Sequence, residues 1–216
     1  LPSYAHAVGA VYRNSDPSDI VVTAAGGLVG EVVQIWKPKE LNTFETEWGF
    51  SCMSYEISGA LGIKMAKPNQ DVIVFVGDGS YLLQNSDIYS SVLYDKKLII
   101  VICDNGGHMV INRLQLAKGG NEYLCNLKAA RATNVQFVDF EAHAKSMGAN
   151  GETVKSISEL EAAFKRAKES DKTYVISMKT DGYEWLEGTA FWESPTLEVE
   201  KTEGNKAALK EFLEGK

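Results

Sequence analysis

The chain predicts an α/β fold: a parallel sheet with helices on both faces. Three observations carry this. Apolar, β-branched runs recur at Ile20–Thr23, Val72–Val76, Leu98–Cys103 and Tyr174–Met178, continuous rather than alternating, as in strands covered on both sides. Helical patterns lie between them, the arrangement that gives right-handed parallel crossovers. The 216 residues also fit a single α/β domain and suffice to bury roughly 70% of the unfolded surface.

In chain order, Tyr4, Val8, Val11 and Tyr12 form the buried stripe of a first helix. The first strand follows and ends in Ala25-Gly26-Gly27-Leu28-Val29-Gly30. Met53, Ile57, Ala60, Leu61 and Met65 form a second stripe, with Gly59 and Gly62 predicting close packing. A third helix is expected over 80–93, directly after a glycine turn. His6 and His143 fall on helical patterns. Ser158 and Glu161 read as a capping box ahead of a face of Leu160, Ala163, Phe164 and Ala167. Residues 106–134 carry four glycines and only scattered apolar side chains, the mark of a long functional or mobile loop. The tail from 181 holds Tyr183, Trp185, Phe191 and Trp192, then a charged helix near 205–214. It is expected as an extension of one domain covering the whole chain.

A net charge of −7 disfavours nucleic acid and anionic membrane as partners. No apolar run nears the ~20 residues of a bilayer span. Cys52, Cys103 and Cys125 have neither metal-ligand spacing nor an even count, and read as reduced thiols of a cytoplasmic protein. The start, Leu1-Pro2-Ser3, is no signal peptide. It lacks Met, which predicts processing or a piece of a longer chain.

The most informative residues are Gly77-Asp78-Gly79-Ser80, after one strand, and Asn105, at the end of another. In open α/β sheets, ligands sit outside the carboxyl ends of the strands. Gly77 and Gly79 permit a sharp turn and clear room for a phosphate. The amides of Gly79 and Ser80 open a helix and favour an anion. Asp78, the Asn105 side-chain oxygen and a carbonyl turned inward by Gly106-Gly107 form an oxygen-only set, which suits Mg²⁺ carrying a diphosphate. The first strand's turn is not GxGxxG and no Gly-Lys-Ser/Thr loop occurs, so dinucleotide and P-loop sites are disfavoured.

At these residues the chain resembles the thiamine diphosphate enzymes. Gly77-Asp78-Gly79 through Asp104-Asn105 is similar to their GDG-to-NN motif, with Asp104 replacing the first N. The resemblance implies thiamine diphosphate and Mg²⁺ as cofactors. It implies Asp78, Asn105 and the Gly107 carbonyl as metal ligands, and Gly77, Gly79 and Ser80 at the diphosphate. Gly49 to Glu56 is similar to the segment before the first cofactor helix of acetolactate-synthase-like members. That implies Met53 as the apolar wedge under the cofactor, with Ser51, Cys52 and Met53 near the aminopyrimidine. Within the family, Glu47–Glu56, Ile111–Gln115 and Thr180–Glu184 resemble the trihydroxycyclohexane-1,2-dione hydrolases of inositol breakdown. The expected reaction is C–C bond hydrolysis of a cyclic 1,2-diketone. A carboligase or decarboxylase of 2-oxo acids, or a non-catalytic cofactor-binding subunit, are the alternatives.

The family's activating glutamate lies on a separate pyrimidine-binding domain, so the expected partner is that domain or subunit, within a homo- or hetero-oligomer. This chain alone is expected to be inactive. His108 is a candidate to face substrate, against the plainer reading of a surface loop residue. Arg113 and Gln115 either contact substrate hydroxyls or cap the loop. Glu45, Glu47 and Glu56 read equally as polar neighbours of the site or as solvated helix ends.

Overall fold

The computed structural model describes residues 1–188 and 202–215. In chain order the elements are α1 (Tyr4–Asn14), β1 (Ile20–Thr23), α2 (Gly26–Ile35), β2 (Phe44–Thr46), α3 (Tyr55–Ala66), β3 (Val72–Gly77), α4 (Asp78–Leu83) and α5 (Ser86–Leu93). There follow β4 (Ile99–Asp104), α6 (Met109–Ala117), α7 (Phe140–Ser146), β5 (Asn150–Val154), α8 (Ile157–Glu169), β6 (Tyr174–Lys179) and α9 (Glu203–Glu214). The six strands form one all-parallel sheet in the order β2-β1-β3-β4-β6-β5.

The pleat sorts the continuous apolar runs into two cores. Val21, Ile73, Phe75, Ile99, Val101 and Ile176 face α1, α2 and α8. Ile20, Val22, Val74, Val76, Ile100 and Val175 face α3, α5 and α7. Burial on both faces removes the polar alternation that a half-exposed strand would show.

Several expectations need correction. Met53 precedes α3, and it and Met65 are exposed; the buried stripe is Ile57, Ala60 and Leu61. A methyl at Gly59 would meet the Tyr55 ring, but Gly62 faces open space, so only one of the two glycines is closely packed. The helix expected over 80–93 is two, broken at Gln84-Asn85. There the Asn85 side-chain Nδ2 donates to the Tyr81 carbonyl at 3.1 Å, satisfying a group the broken helix leaves free. The cap of α8 is Ser156, whose hydroxyl accepts from the Glu159 amide, not Ser158. Residues 106–134 contain α6, and α2 starts at Gly26, whose φ of +79° suits glycine. Tyr183 and Trp185 lie among the described residues. Phe191 and Trp192 lie outside them.

At the amino ends of β1 and β3, Lys168 Nζ meets Asp16 at 2.8 Å, Asp19 at 2.7 Å and Asp71 at 3.1 Å. Burial pushes the Asp19 carboxyl up against the pull of Lys168. For Asp71, burial is outweighed by Lys97 and Lys168, and its carboxyl is held low. Lys168→Met would strand the buried Asp19 charge. The expected cost is about 3 kcal/mol, read as a lower urea midpoint with an unchanged slope.

Candidate functional site

The pairing of β3 with β4 sets Gly77 beside Cys103, so the turn after β3 and the loop after β4 emerge together at the carboxyl edge. Asp78 opens α4 and is 7% exposed. The amides of Gly79, Gly107 and Asp78 itself donate toward its carboxylate. Gly106 and Gly107 take φ of +81° and +143°, conformations that L side chains rarely adopt. The loop is braced by residues 125–127: His108 N donates to Cys125 O at 2.6 Å, and Leu127 N to Gly106 O at 2.9 Å.

This geometry converges three oxygens. Asn105 presents its side-chain oxygen to Asp78 Oδ1 at 3.3 Å and to the Gly107 carbonyl at 2.9 Å, while its Nδ2 donates to the Tyr4 hydroxyl at 2.5 Å. In this orientation three acceptors face one another, an arrangement that a cation among them would relieve. The opposite amide orientation would instead donate to both oxygens. An oxygen-only set with one carboxylate suits a hard cation that keeps further oxygen ligands from elsewhere. Among the described residues no cluster of three His, Cys, Asp or Glu side chains offers a metal site.

Burial first, and then the nearby Asp104 charge, push the Asp78 carboxyl up to about 6. Asp104, the departure from the family motif, is occupied structurally. It accepts from Gly106 N at 3.0 Å and pairs with Lys179 at 2.5 Å.

A cavity of about 490 Å³ opens beside this cluster, lined by Ser51, Met53, Gly77, Asp78, Gly79, Ser80, Gly107 and His108, together with Trp48 and Tyr4. Its size is that of a small-molecule site. His108 is exposed, yet its ring lies so close to Gly79 that a methyl there would meet it at 2.7 Å. Cys52 is not on the wall; its amide donates to Glu47 Oε2 at 2.7 Å. The Ser80 hydroxyl is engaged with Glu56 and the Ser54 amide, which leaves its backbone for an anion. Of the three glutamates, Glu56 is buried rather than a solvated helix end, and Glu47 binds the amides of Phe50 and Cys52. Arg113 lies over the Trp185 ring at 4.2 Å and beside the buried Glu31.

Tyr4 is a site residue with no sequence signal, and Glu56, open between a polar neighbour and a solvated helix end, proves to be the buried neighbour. Tyr4 fits a helix stripe, and nothing local ties it to Asn105, 101 residues away. Glu56 carried one signal, an acid in a first turn. Tyr4→Phe removes the group that orients Asn105. Mg²⁺ affinity is expected to fall about tenfold or more, as for other groups that orient a ligand, measured by calorimetric titration.

Residues 24–178 match the family described as "Thiamine pyrophosphate enzyme, C-terminal TPP binding domain". The chain is 36% identical to the 3D-(3,5/4)-trihydroxycyclohexane-1,2-dione hydrolase of Halalkalibacterium halodurans, covering 89% of this chain and 30% of that protein. It is 35% identical to the protein of the same name from Shouchella clausii, covering 98% and 36%. The chain thus spans about a third of the length of these relatives. Among solved structures, Rhodococcus jostii RHA1 thiamine diphosphate-dependent 4-hydroxybenzoylformate decarboxylase superposes with a TM-score of 0.69 at 19% identity, covering 83% of this chain and 32% of that one. That likeness concerns the fold alone.

Proposed function

The chain belongs to the thiamine pyrophosphate enzymes, as their C-terminal cofactor-binding domain, and on that premise we propose that its carboxyl-edge loops hold the cofactor's diphosphate through Mg²⁺. The observation that carries this is the proximity of the Asn105 side-chain amide to Asp78 Oδ1, at 3.3 Å, and to the Gly107 carbonyl, at 2.9 Å. When bound, thiamine diphosphate supplies the electron sink for breaking a C–C bond next to a carbonyl. The protein's own residues do the rest. Asp78, Asn105 Oδ1 and Gly107 O take the cation. The amides of Gly79 and Ser80, at the start of α4, receive diphosphate oxygens, with Gly77 giving the turn. Met53 would support the organic part from the cavity wall, beside Ser51. His108, packed on Gly79, stands where it meets the diphosphate or the substrate. A pyrimidine-binding domain, from the same or another chain, closes the cavity and brings the activating glutamate.

We infer further that the whole protein is a C–C bond hydrolase acting on a cyclic 1,2-diketone; in support, the relatives at 36% and 35% identity are named trihydroxycyclohexane-1,2-dione hydrolases. Among the described residues no helix is long and apolar enough to cross a membrane. The test is a direct assay of the whole protein with 3D-(3,5/4)-trihydroxycyclohexane-1,2-dione, with product followed by mass spectrometry. Ring opening that requires both thiamine diphosphate and Mg²⁺ is expected. Turnover of pyruvate with the dione untouched would replace this reading with the carboligase one. Cofactor binding without turnover of either would leave a binding subunit.

A further inference from the structure

Behind the cavity wall lies a carboxylate that the proposed chemistry does not use. Glu56, on the first turn of α3, is 1% exposed. Its Oε1 accepts from the Ala25 amide, at the entry to α2, at 3.3 Å. The Ser80 hydroxyl stands 3.1 and 3.0 Å from its two oxygens, and accepts in turn from the Ser54 amide at 2.6 Å. Among the described residues no lysine or arginine pairs with it.

Three segments that line the cavity therefore meet on one carboxyl group. They are the turn after β1, the entry to α3 beside Met53, and the glycine turn after β3. Burying a carboxyl is expensive, and an aliphatic side chain of that size would fill the space at lower cost. What a carboxyl adds is a set of directed acceptors that several donors on different segments share. The site therefore needs those segments at fixed separations, not merely packed.

We infer that Glu56 is a positioning residue: it ties Ser80, Ala25 and the α3 entry together, and so fixes the spacing between Met53 and the Gly77–Ser80 turn. Both line the cavity, where Met53 would lie under the cofactor and the turn at its diphosphate, so the inference rests on the thiamine diphosphate reading above. Burial also pushes the Glu56 carboxyl up, so a neutral amide of the same shape fits its place.

The experiment is a calorimetric titration of the whole protein with thiamine diphosphate at saturating Mg²⁺, for the unsubstituted protein, Glu56→Gln, Glu56→Ala, Ser80→Ala and the double alanine variant. Glu56→Ala is expected to weaken binding about tenfold or more, while Glu56→Gln stays within about threefold because it keeps the acceptor. Ser80→Ala guards against a Glu56→Ala protein that fails to fold. If Glu56 acts through Ser80, the two alanine effects overlap and the double variant is no worse than Glu56→Ala. Binding by folded Glu56→Ala within twofold of the unsubstituted protein, loss in Glu56→Gln equal to that in Glu56→Ala, or fully additive losses would each overturn the inference. Absence of binding by the unsubstituted protein would overturn the cofactor reading and the inference with it.

Discussion

Replacing Asp78 with asparagine is expected to push stability and function in opposite directions. Burial, and then the nearby Asp104 charge, push its carboxyl up from 3.8 to about 6. A carboxylate whose pKa is raised by folding costs stability once it ionises. The cost is absent below pH 3.8, grows as pH rises toward about 6, and is fully present above that. At about 1.4 kcal/mol per pH unit it amounts to roughly 2–3 kcal/mol at neutral pH. Asp78→Asn removes the charge and keeps the shape, so thermal or urea unfolding without Mg²⁺ should show a stabilised protein. With Mg²⁺, the same variant should lose cofactor affinity by more than about 100-fold, because even groups that merely support a ligand are worth about 10- to 100-fold. In the unsubstituted protein, Mg²⁺ competes with one proton, so its affinity should fall steadily as pH drops below about 6. A variant that loses stability and keeps affinity would mean that Asp78 is a structural cap.

Gly107→Ala is expected to be the most damaging single methyl at the site. Gly107 adopts a φ of +143°, and an added Cβ would lie 2.5 Å from the Cys125 carbonyl oxygen and 2.9 Å from Asn126 Cα. Both are backbone atoms, so no side chain can swing away. The strand-like pairing of 106–108 with 125–127 must open, and with it the direction of the Gly107 carbonyl. A loss of about 2–4 kcal/mol is expected from the φ strain and the overpacking together, with Mg²⁺-dependent cofactor binding abolished. The control is Gly77→Ala, where φ is −78° and the Cβ meets nothing within 4 Å. It should leave unfolding within about 1 kcal/mol, since an ordinary backbone angle and open space remove both causes. Equal damage from both substitutions would show that space and backbone angle do not govern this turn.

The parts of the fold that were legible in sequence are those where burial is symmetrical. β1, β3, β4 and β6 lie inside the sheet, and their continuous apolar runs show it. β2 and β5 are the edges. The first is three residues long and half exposed, and the second reads Asn-Gly-Glu-Thr-Val. An edge strand needs fewer apolar side chains, so neither announces itself. α2 was hidden by its opening glycines, which suit the turn that starts it and argue against a helix.

The site was legible where its chemistry demands unusual residue types: the Gly77–Ser80 turn, Asn105 and the paired glycines after it. The residues that hold these in place were not. Tyr4 reads as an amphipathic helix position, Glu56 reads equally as a polar neighbour or a solvated helix end, and only the folded topology brings them to Asn105 and Ser80.

The most direct test is a crystal of the whole protein grown with thiamine diphosphate and Mn²⁺ in place of Mg²⁺, with anomalous scattering locating the metal. One strong peak is expected at the carboxyl edge of the sheet, ligated by Asp78, the Asn105 side-chain oxygen and the Gly107 carbonyl together with the diphosphate, with the Asn105 amide nitrogen on Tyr4. A peak elsewhere, or an Asn105 turned so that its nitrogen faces Asp78 and Gly107, would contradict this assignment.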